Sequence, residues 1–204
     1  MSVAKDYPQF ARVVPSDGAI AESMAQFVAE AFGWRNMNVV IGSDGIFFMC
    51  YFLPFCRCAH LTRLESLAIC CTGYSYDGAQ AFMHVARKYN ITIVSTQVYK
   101  HKSKDMSETI RGLKASKCRG VVLFSTTIDM VELLLESKAQ NLGAVWITGD
   151  SISSEYSKAL RVIAERVPRH ERHEVFRGMF VVTLRHGRGL PRYNQFIQDW
   201  YVKS

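Results

Sequence analysis

Apolar residues recur along the chain in two alternating patterns, one with helical spacing and one in short continuous runs. Apolar positions three or four residues apart predict helices over 18–32, 76–89, 105–115, 127–139, 153–167 and 191–201. The short apolar runs between them predict strands over 37–41, 91–98, 120–124, 144–148 and 176–184. Helices that alternate with wholly apolar strands predict an α/β fold, a doubly wound parallel sheet covered on both faces.

Small polar residues follow three of the predicted strands. The segments are Gly42-Ser43-Asp44, Ser125-Thr126-Thr127 and Gly149-Asp150-Ser151. Each one alone is also what a helix cap or a turn requires. In doubly wound folds, however, ligands bind beyond the carboxyl ends of the strands, so the three together indicate a pocket at that edge.

Composition and charge limit the classes of function. The chain has 204 residues and a formal net charge of +7, but its basic residues are scattered. The densest basic cluster, 166–173, is interrupted by Glu171 and flanked by Glu165 and Glu174, whereas a nucleic-acid interface needs a coherent basic face. We therefore expect no nucleic-acid partner. No apolar run approaches the roughly 20 residues of a membrane span.

Motifs typical of enzymes are missing from the sequence. It has no GxGxxG, no phosphate-binding loop and no GxSxG, and its histidines have no evident serine or cysteine partner. We therefore expect a protein that is not an enzyme and that uses no cofactor. The amino terminus shows no signal peptide and enters without an opening strand, which indicates a fragment of a longer protein.

Residues 46–73 do not fit the alternation of helices and strands. This segment holds five of the six cysteines and interrupts what is otherwise one strand–loop–helix–strand unit. Four interpretations compete: a zinc site, a disulfide-bonded loop, a membrane-touching insert and retained intron sequence. The zinc ligands would be Cys56, Cys58, His60, Cys70 and Cys71, but their CxC and CC spacing is unusual for zinc. We favour retained intron sequence, because removing the block restores a regular unit.

Several strings, in this order, resemble the ligand-binding region of bilobed receptors. They include FARVVPSD at 10–17, VVIGSD at 39–44, LKASKCRGVVLF at 113–124 and LLLESKAQNLGAVWITGD at 134–150. That superfamily contains bacterial amino-acid-binding proteins, natriuretic peptide receptors and class C G-protein-coupled receptors, and the metabotropic glutamate-like receptors look most similar. The resemblance implies the type I periplasmic-binding-protein-like (Venus-flytrap) fold. This chain would supply mostly the second of two lobes.

The resemblance also implies a function and a location. Such a region binds a small amino-acid-like ligand in the cleft between its lobes, and closure of the lobes transmits a signal. It would lie on the extracellular side of the plasma membrane, in a receptor homodimer or heterodimer joined through the ectodomain. A soluble transport-type binding protein and a non-functional receptor fragment are the alternatives.

Three residues match the family's ammonium-binding positions. Asp17 matches the aspartate of its PSD motif, Asp150 matches an aspartate that ends a later strand, and Tyr74 matches the tyrosine once 46–73 is removed. An ammonium group favours carboxylates and aromatic faces. Helix capping by either aspartate, and simple packing of the tyrosine, remain alternatives. The chain has Ser153-Ser154-Glu155 where several glutamate receptors carry a basic residue, which argues against glutamate as the ligand.

Two further residues carry chemistry of their own. Asn90-Ile91-Thr92 forms a glycosylation sequon, which predicts a glycan on Asn90 if the domain is exported. Cys118, the sixth cysteine, begins an apolar strand, and we expect it to be a small buried residue and not a nucleophile.

We predict that the mature transcript joins the codons of Asp44 and Tyr74 through a single glycine codon. Removal of 46–73 restores the unit and brings Tyr74 to the family's tyrosine position. Sequencing the transcript across this junction measures the outcome directly. A mature message that keeps the block would contradict the prediction.

Overall fold

Five parallel strands form one sheet in the computed structural model, which describes residues 16–43, 74–183 and 190–203. The strands are β1 (Asn36–Ser43), β2 (Thr92–Lys100), β3 (Gly120–Phe124), β4 (Val145–Thr148) and β5 (Met179–Val181). Their order across the sheet is β2-β1-β3-β4-β5, and every pair is parallel. The predicted doubly wound α/β sheet is therefore confirmed.

Helices cover both faces of the sheet. They are α1 (Asp17–Ala31), α2 (Tyr74–Ala86), α3 (Ser107–Ser116), α4 (Thr127–Ala139) and α5 (Ser151–Arg166). A further helix, α6 (Pro191–Lys203), contributes none of its described residues to either core. Helices α1 and α2 pack on one face, and α3, α4 and α5 pack on the other. Because each of these five helices leads to the next parallel strand, its amino terminus lies at the carboxyl edge of the sheet.

The central strands are apolar because both of their faces are buried. In β3, Val122 and Phe124 pack under α1 and α2, whereas Val121 and Leu123 pack under α3 and α4. All five residues of β3 are buried. Burying one such side chain contributes roughly 1.5–3 kcal/mol, so the two cores hold the helices to the sheet.

The strand predicted over 176–184 is the main error among the predicted elements. Residues Arg169–Phe176 form a 3-10 helix, and the strand begins only at Met179. Gly178 separates the two with a positive φ of 76°, which ends the preceding turn before the chain can extend. The apolar residues over 176–184 belong to the end of the 3-10 helix and to β5, which are both partly buried. They do not form one continuous strand.

Asn38 is a fully buried polar residue on β1, between β2 and β3. Its Nδ2 donates to Ser116 Oγ (2.9 Å) and to the Cys118 carbonyl oxygen (3.0 Å), and its Oδ1 accepts from Ser95 Oγ (3.1 Å). The register between β1 and β2 shifts directly before it, between Met37 and Asn38. The amide therefore joins β1, β2 and the turn before β3.

The carboxyl-terminal helix α6 differs from the other helices, since none of its residues from 191 to 200 is buried. Phe196 and Trp200 are 55% and 62% exposed, and their ring centroids lie 5.8 Å apart. No helix in the described ranges is both long and apolar enough to cross a membrane. The segment 46–73, with its zinc, disulfide, membrane-insert and intron interpretations, lies outside the described residues.

We expect Asn38→Ala to lower the free energy of unfolding by about 2–3 kcal/mol, because it leaves the partners of a buried amide without hydrogen bonds. Asn36→Ala is the matched control, since Asn36 is exposed at the start of the same strand. Urea unfolding followed by circular dichroism measures both variants. Equal stabilities for the two variants would show that the network of Asn38 contributes nothing.

Candidate ligand-binding site

The direction of the chain connections reverses between β1 and β3. Strand β1 leads through α2 to β2 on one side, whereas β3 leads through α4 to β4 on the other side. Such a reversal opens a crevice at the carboxyl ends of the two strands, where ligands of doubly wound folds bind. At these ends Ser43 and Thr126 are partly exposed, whereas Gly42 and Ser125 are buried. Two of the three predicted polar segments therefore meet here.

Tyr99 crosses over the end of β1 to reach Ser125. Ser125 Oγ donates to the Thr126 carbonyl oxygen (2.9 Å), so the Tyr99 hydroxyl is the donor in its own hydrogen bond to Ser125 Oγ. Both residues are buried. A β-carbon built on Gly42 would lie 2.8 Å from Tyr99 Oη and 3.4 Å from Ser125 Oγ. Glycine at position 42 is therefore what allows the tyrosine to pass.

A second polar connection joins the loop after β2 to the start of α4. Asp129 is only 1% exposed, and its carboxylate oxygens make three polar contacts. Oδ1 accepts from the Lys102 amide (2.9 Å), and Oδ2 accepts from Thr126 Oγ1 (3.1 Å) and contacts His101 Nδ1 at 2.5 Å. The His101 amide in turn donates to the Ser43 carbonyl oxygen (3.0 Å). This loop is thus fixed to both β1 and α4.

The contacts of Asp129 determine how His101 presents its ring. Because Nδ1 is the ring nitrogen that contacts Asp129 Oδ2, Nε2 lies on the far side of the ring. The His101 side chain is 27% exposed. Nε2 has no hydrogen-bond partner within the described ranges. Every buried polar side-chain atom in those ranges does have a partner, so Nε2 is not a buried atom. Nε2 is therefore accessible at the carboxyl edge.

Acidic groups lie on the β4 side of the crevice. Asp150 occupies the N-cap position of α5 and is partly exposed. Hydrogen bonds from Lys158 and then Thr127 lower the pKa of the Glu155 carboxyl, so it is ionised near neutral pH. Thr127 and Asp129 lie in the same first turn of α4. The acidic side and the His101 loop are consequently neighbours.

The three sequence-predicted ligand residues all lie at helix amino termini on this edge. Asp17 is the first residue of α1, Tyr74 is the first residue of α2, and Asp150 precedes α5. Ser16, not Asp17, caps α1, because Ser16 Oγ accepts from the Ala19 amide (3.3 Å). Capping alone therefore does not explain Asp17. The partial positive charge of helix amino termini favours anionic groups here.

Asn90 and Cys118 lie away from this crevice. Asn90 is exposed at the turn before β2, with a positive φ of 54°. Cys118 lies before β3 and is half-buried, not buried as expected, and its Sγ donates to the Asn36 carbonyl oxygen (3.1 Å). Both are at the amino edge of the sheet.

A cavity of about 320 Å³ also lies at the amino edge. It is lined by residues that include Lys138, Trp146, Glu174 and Arg177. Its charged groups already form ion pairs, Lys138 with Glu171 and Arg177 with Glu174. Since the polar crevice is at the opposite edge, this cavity is not part of the candidate site.

Sequence reasoning misses the pairs Tyr99–Ser125 and His101–Asp129. The sequence offers His101 no evident serine or cysteine partner, and its actual partner is an aspartate 28 residues later. The available signal is a capping-box spacing directly after a predicted strand, in which Asp129 follows Thr126 by three residues. No local sequence pattern predicts that Asp129 of this capping box contacts His101.

Residues 65–204 match the family model described as the receptor family ligand binding region. The chain belongs to this family. The matched residues include β2 to β5 and α2 to α6, and they begin inside the anomalous block 46–73. Membership confirms the predicted fold family.

A crystal structure described as a branched-chain amino acid ABC transporter from Rhodospirillum rubrum is similar to this ligand binding region. The TM-score is 0.62 at 12% sequence identity, a likeness that shows the fold alone. The similarity covers 97% of this chain but only 46% of that one, so the chain spans less than half of its length. No curated protein matches the chain.

We expect Gly42→Ala to destabilise the fold by about 1–3 kcal/mol, because the new methyl group displaces the Tyr99 hydroxyl from Ser125. The cost should shrink in a Tyr99→Phe background, which lacks that hydroxyl. Gly18→Ala is the control, since its β-carbon would meet only Ser16 Oγ at 3.7 Å. A double-mutant cycle in urea measures the coupling, and strictly additive effects would contradict it.

Proposed function

We propose that this chain is part of the extracellular ligand-binding region of a membrane receptor. It binds a small amino-acid-like ligand in a cleft between two lobes, and lobe closure transmits the signal. The observation that carries the proposal is the polar crevice between β1 and β3 in a chain of the receptor family ligand binding region. This proposal treats the protein as a binding protein and not as an enzyme.

The ammonium group of the ligand is assigned to Asp17, Tyr74 and Asp150. Carboxylates and an aromatic ring are the groups that favour an ammonium ion. Glu155, on the same helix as the residues that follow Asp150, already pairs with Lys158 and is not assigned to the ammonium group.

Within the family, the metabotropic glutamate-like class C receptors are the proposed relatives. The parent protein is then placed at the plasma membrane, with this region outside the cell, and receptor subunits pair as homodimers or heterodimers through their ectodomains. Asn90 is exposed and so is accessible for the proposed glycan. These assignments rest on the sequence strings at 10–17, 39–44, 113–124 and 134–150.

A soluble transport-type binding protein is the second candidate function. The similar crystal structure, described as a branched-chain amino acid ABC transporter, favours it. Both candidates use the same fold and bind ligands at the same edge. A cysteine-rich linker followed by membrane spans in the parent gene supports the receptor, and their absence supports the transport protein.

We expect amino acids to shift the backbone amide resonances of Gly42, Ser125 and Gly149 in a ¹⁵N titration of the 204-residue chain. NMR suits this test because it detects millimolar binding by an incomplete cleft. Asp150→Asn should weaken binding at least about tenfold, since a charge-assisted contact to the ammonium is lost.

Asp199→Asn is the matched control, because Asp199 is exposed on α6 and bonds to Gln195 within the same helix. Asp17→Ala and Tyr74→Ala test the other two assignments. A titration in which no amino acid shifts these resonances would refute the proposed function. Binding that survives all three substitutions would refute only the ammonium site.

A further inference from the structure

The connection between α5 and the 3-10 helix of 169–176 is basic, exposed and extended. Helix α5 ends at Arg166, and the next two residues have extended backbones, with φ −125° and ψ 128° at Val167 and φ −53° and ψ 146° at Pro168. Proline imposes this geometry, because it fixes its own φ and disfavours a helical residue before it. Arg166, Pro168 and Arg169 are all exposed. The chain therefore presents a Val-Pro-Arg sequence to solvent in an extended form.

An extended segment that ends in arginine is the form in which trypsin-like serine proteases bind their substrates. Their specificity pocket holds an aspartate for the basic side chain, and an extended peptide can pair with the enzyme through its main chain as an added strand. The sequence contains only one other Pro-Arg pair, Pro191-Arg192, and that pair lies in the first turn of α6. Helical backbone cannot make strand-like hydrogen bonds, so the fold distinguishes two pairs of the same composition.

The backbone that follows Arg169 also opposes local opening only weakly. It forms a 3-10 helix, whose hydrogen-bond geometry is poorer than that of an α-helix. The bond at its start joins the Glu171 amide to the Pro168 carbonyl oxygen (2.9 Å). The only buried residue of this helix, Val175, lies near its other end. The bond after Arg169 can therefore be exposed without moving a core side chain.

We propose that the Arg169–His170 peptide bond is a processing site for an extracellular trypsin-like protease. Hydrolysis adds one water molecule across this bond, which leaves a new carboxylate on Arg169 and a new amine on His170. The inference rests on the proposed function only for the extracellular location. The site itself lies at the amino edge of the sheet, because it follows the end of α5, and so it is opposite the polar crevice.

The two pieces of the chain stay associated after this cut. On the carboxyl-terminal side, Val175 is buried in the core, and β5 pairs with β4 along its whole length. Arg172 also connects the two sides of the cut, since it donates from Nη2 to the Ala164 carbonyl oxygen (3.1 Å) and from Nε to the Val167 carbonyl oxygen (3.0 Å). Cleavage thus replaces a covalent connection between α5 and β5 with a non-covalent one.

Arg172 also limits access to the segment. A protease that binds the segment as an added strand uses its main-chain groups, and the Val167 carbonyl oxygen is one of them. In the uncut chain this oxygen already accepts from Arg172. Release of the Arg172 guanidinium therefore makes the segment easier to bind.

Limited proteolysis of the folded 204-residue chain with thrombin, a trypsin-like protease that favours proline before the arginine, tests the site. Mass spectrometry should detect fragment 170–204, which co-elutes with the rest of the chain in size-exclusion chromatography and separates from it in urea. Arg169→Gln should slow the appearance of this fragment at least about tenfold, because the specificity pocket loses its cation. Arg192→Gln is the matched control and should leave the rate unchanged.

Arg172→Gln should speed the same cut about threefold to tenfold, which is the effect of removing one hydrogen bond from the segment. No cut after Arg169, an earlier cut after Arg192, or equal rates for Arg169→Gln and the unmodified chain would overturn the processing site. An unchanged rate in Arg172→Gln would overturn the role of Arg172 in limiting access. This assay contains no amino-acid ligand, so its failure leaves the proposed function standing, and failure of the ligand titrations leaves the cleavage result standing.

Discussion

The carboxylate of Asp129 is the group on which the arrangement of the carboxyl edge depends. A buried charge is stable only when donors surround it, and here the donors come from the loop after β2 and from the start of α4. One side chain thereby joins two elements that are distant in sequence. It also compensates the strained backbone of Lys102, which has a positive φ of 59°, and fixes which nitrogen of His101 remains accessible. The chemistry of the edge is therefore built into the fold.

Periodicity predicts the elements wherever burial alone determines sequence. Strand 120–124 and helix 127–139 occur at the predicted residues, because β3 is buried on both faces and α4 on one. The prediction over 176–184 is wrong because a turn at Gly178 lies inside an apolar run. The pairs Tyr99–Ser125 and His101–Asp129 are not predictable, since they join residues that only the strand order brings together.

The residues that match the family model do not include the whole sheet. The matched residues 65–204 contain four of the five strands, whereas β1 precedes them. Yet β1 pairs with both β2 and β3, so it holds the sheet together and forms one wall of the crevice. Strand β1, which precedes the match, is thus an interior strand of the sheet. A description of this region limited to the matched residues would omit the strand that carries Gly42 and Ser43.

Gly42 has a consequence for the paths along which this sequence can change. Any side chain at position 42 meets the Tyr99 hydroxyl, and that hydroxyl is held by Ser125. Position 99 must therefore become smaller before position 42 can become larger, and the reverse order passes through a destabilised protein. Positions 42, 99 and 125 should therefore change together. Related chains should carry either glycine at position 42 with tyrosine at position 99, or a larger residue at 42 with a smaller one at 99.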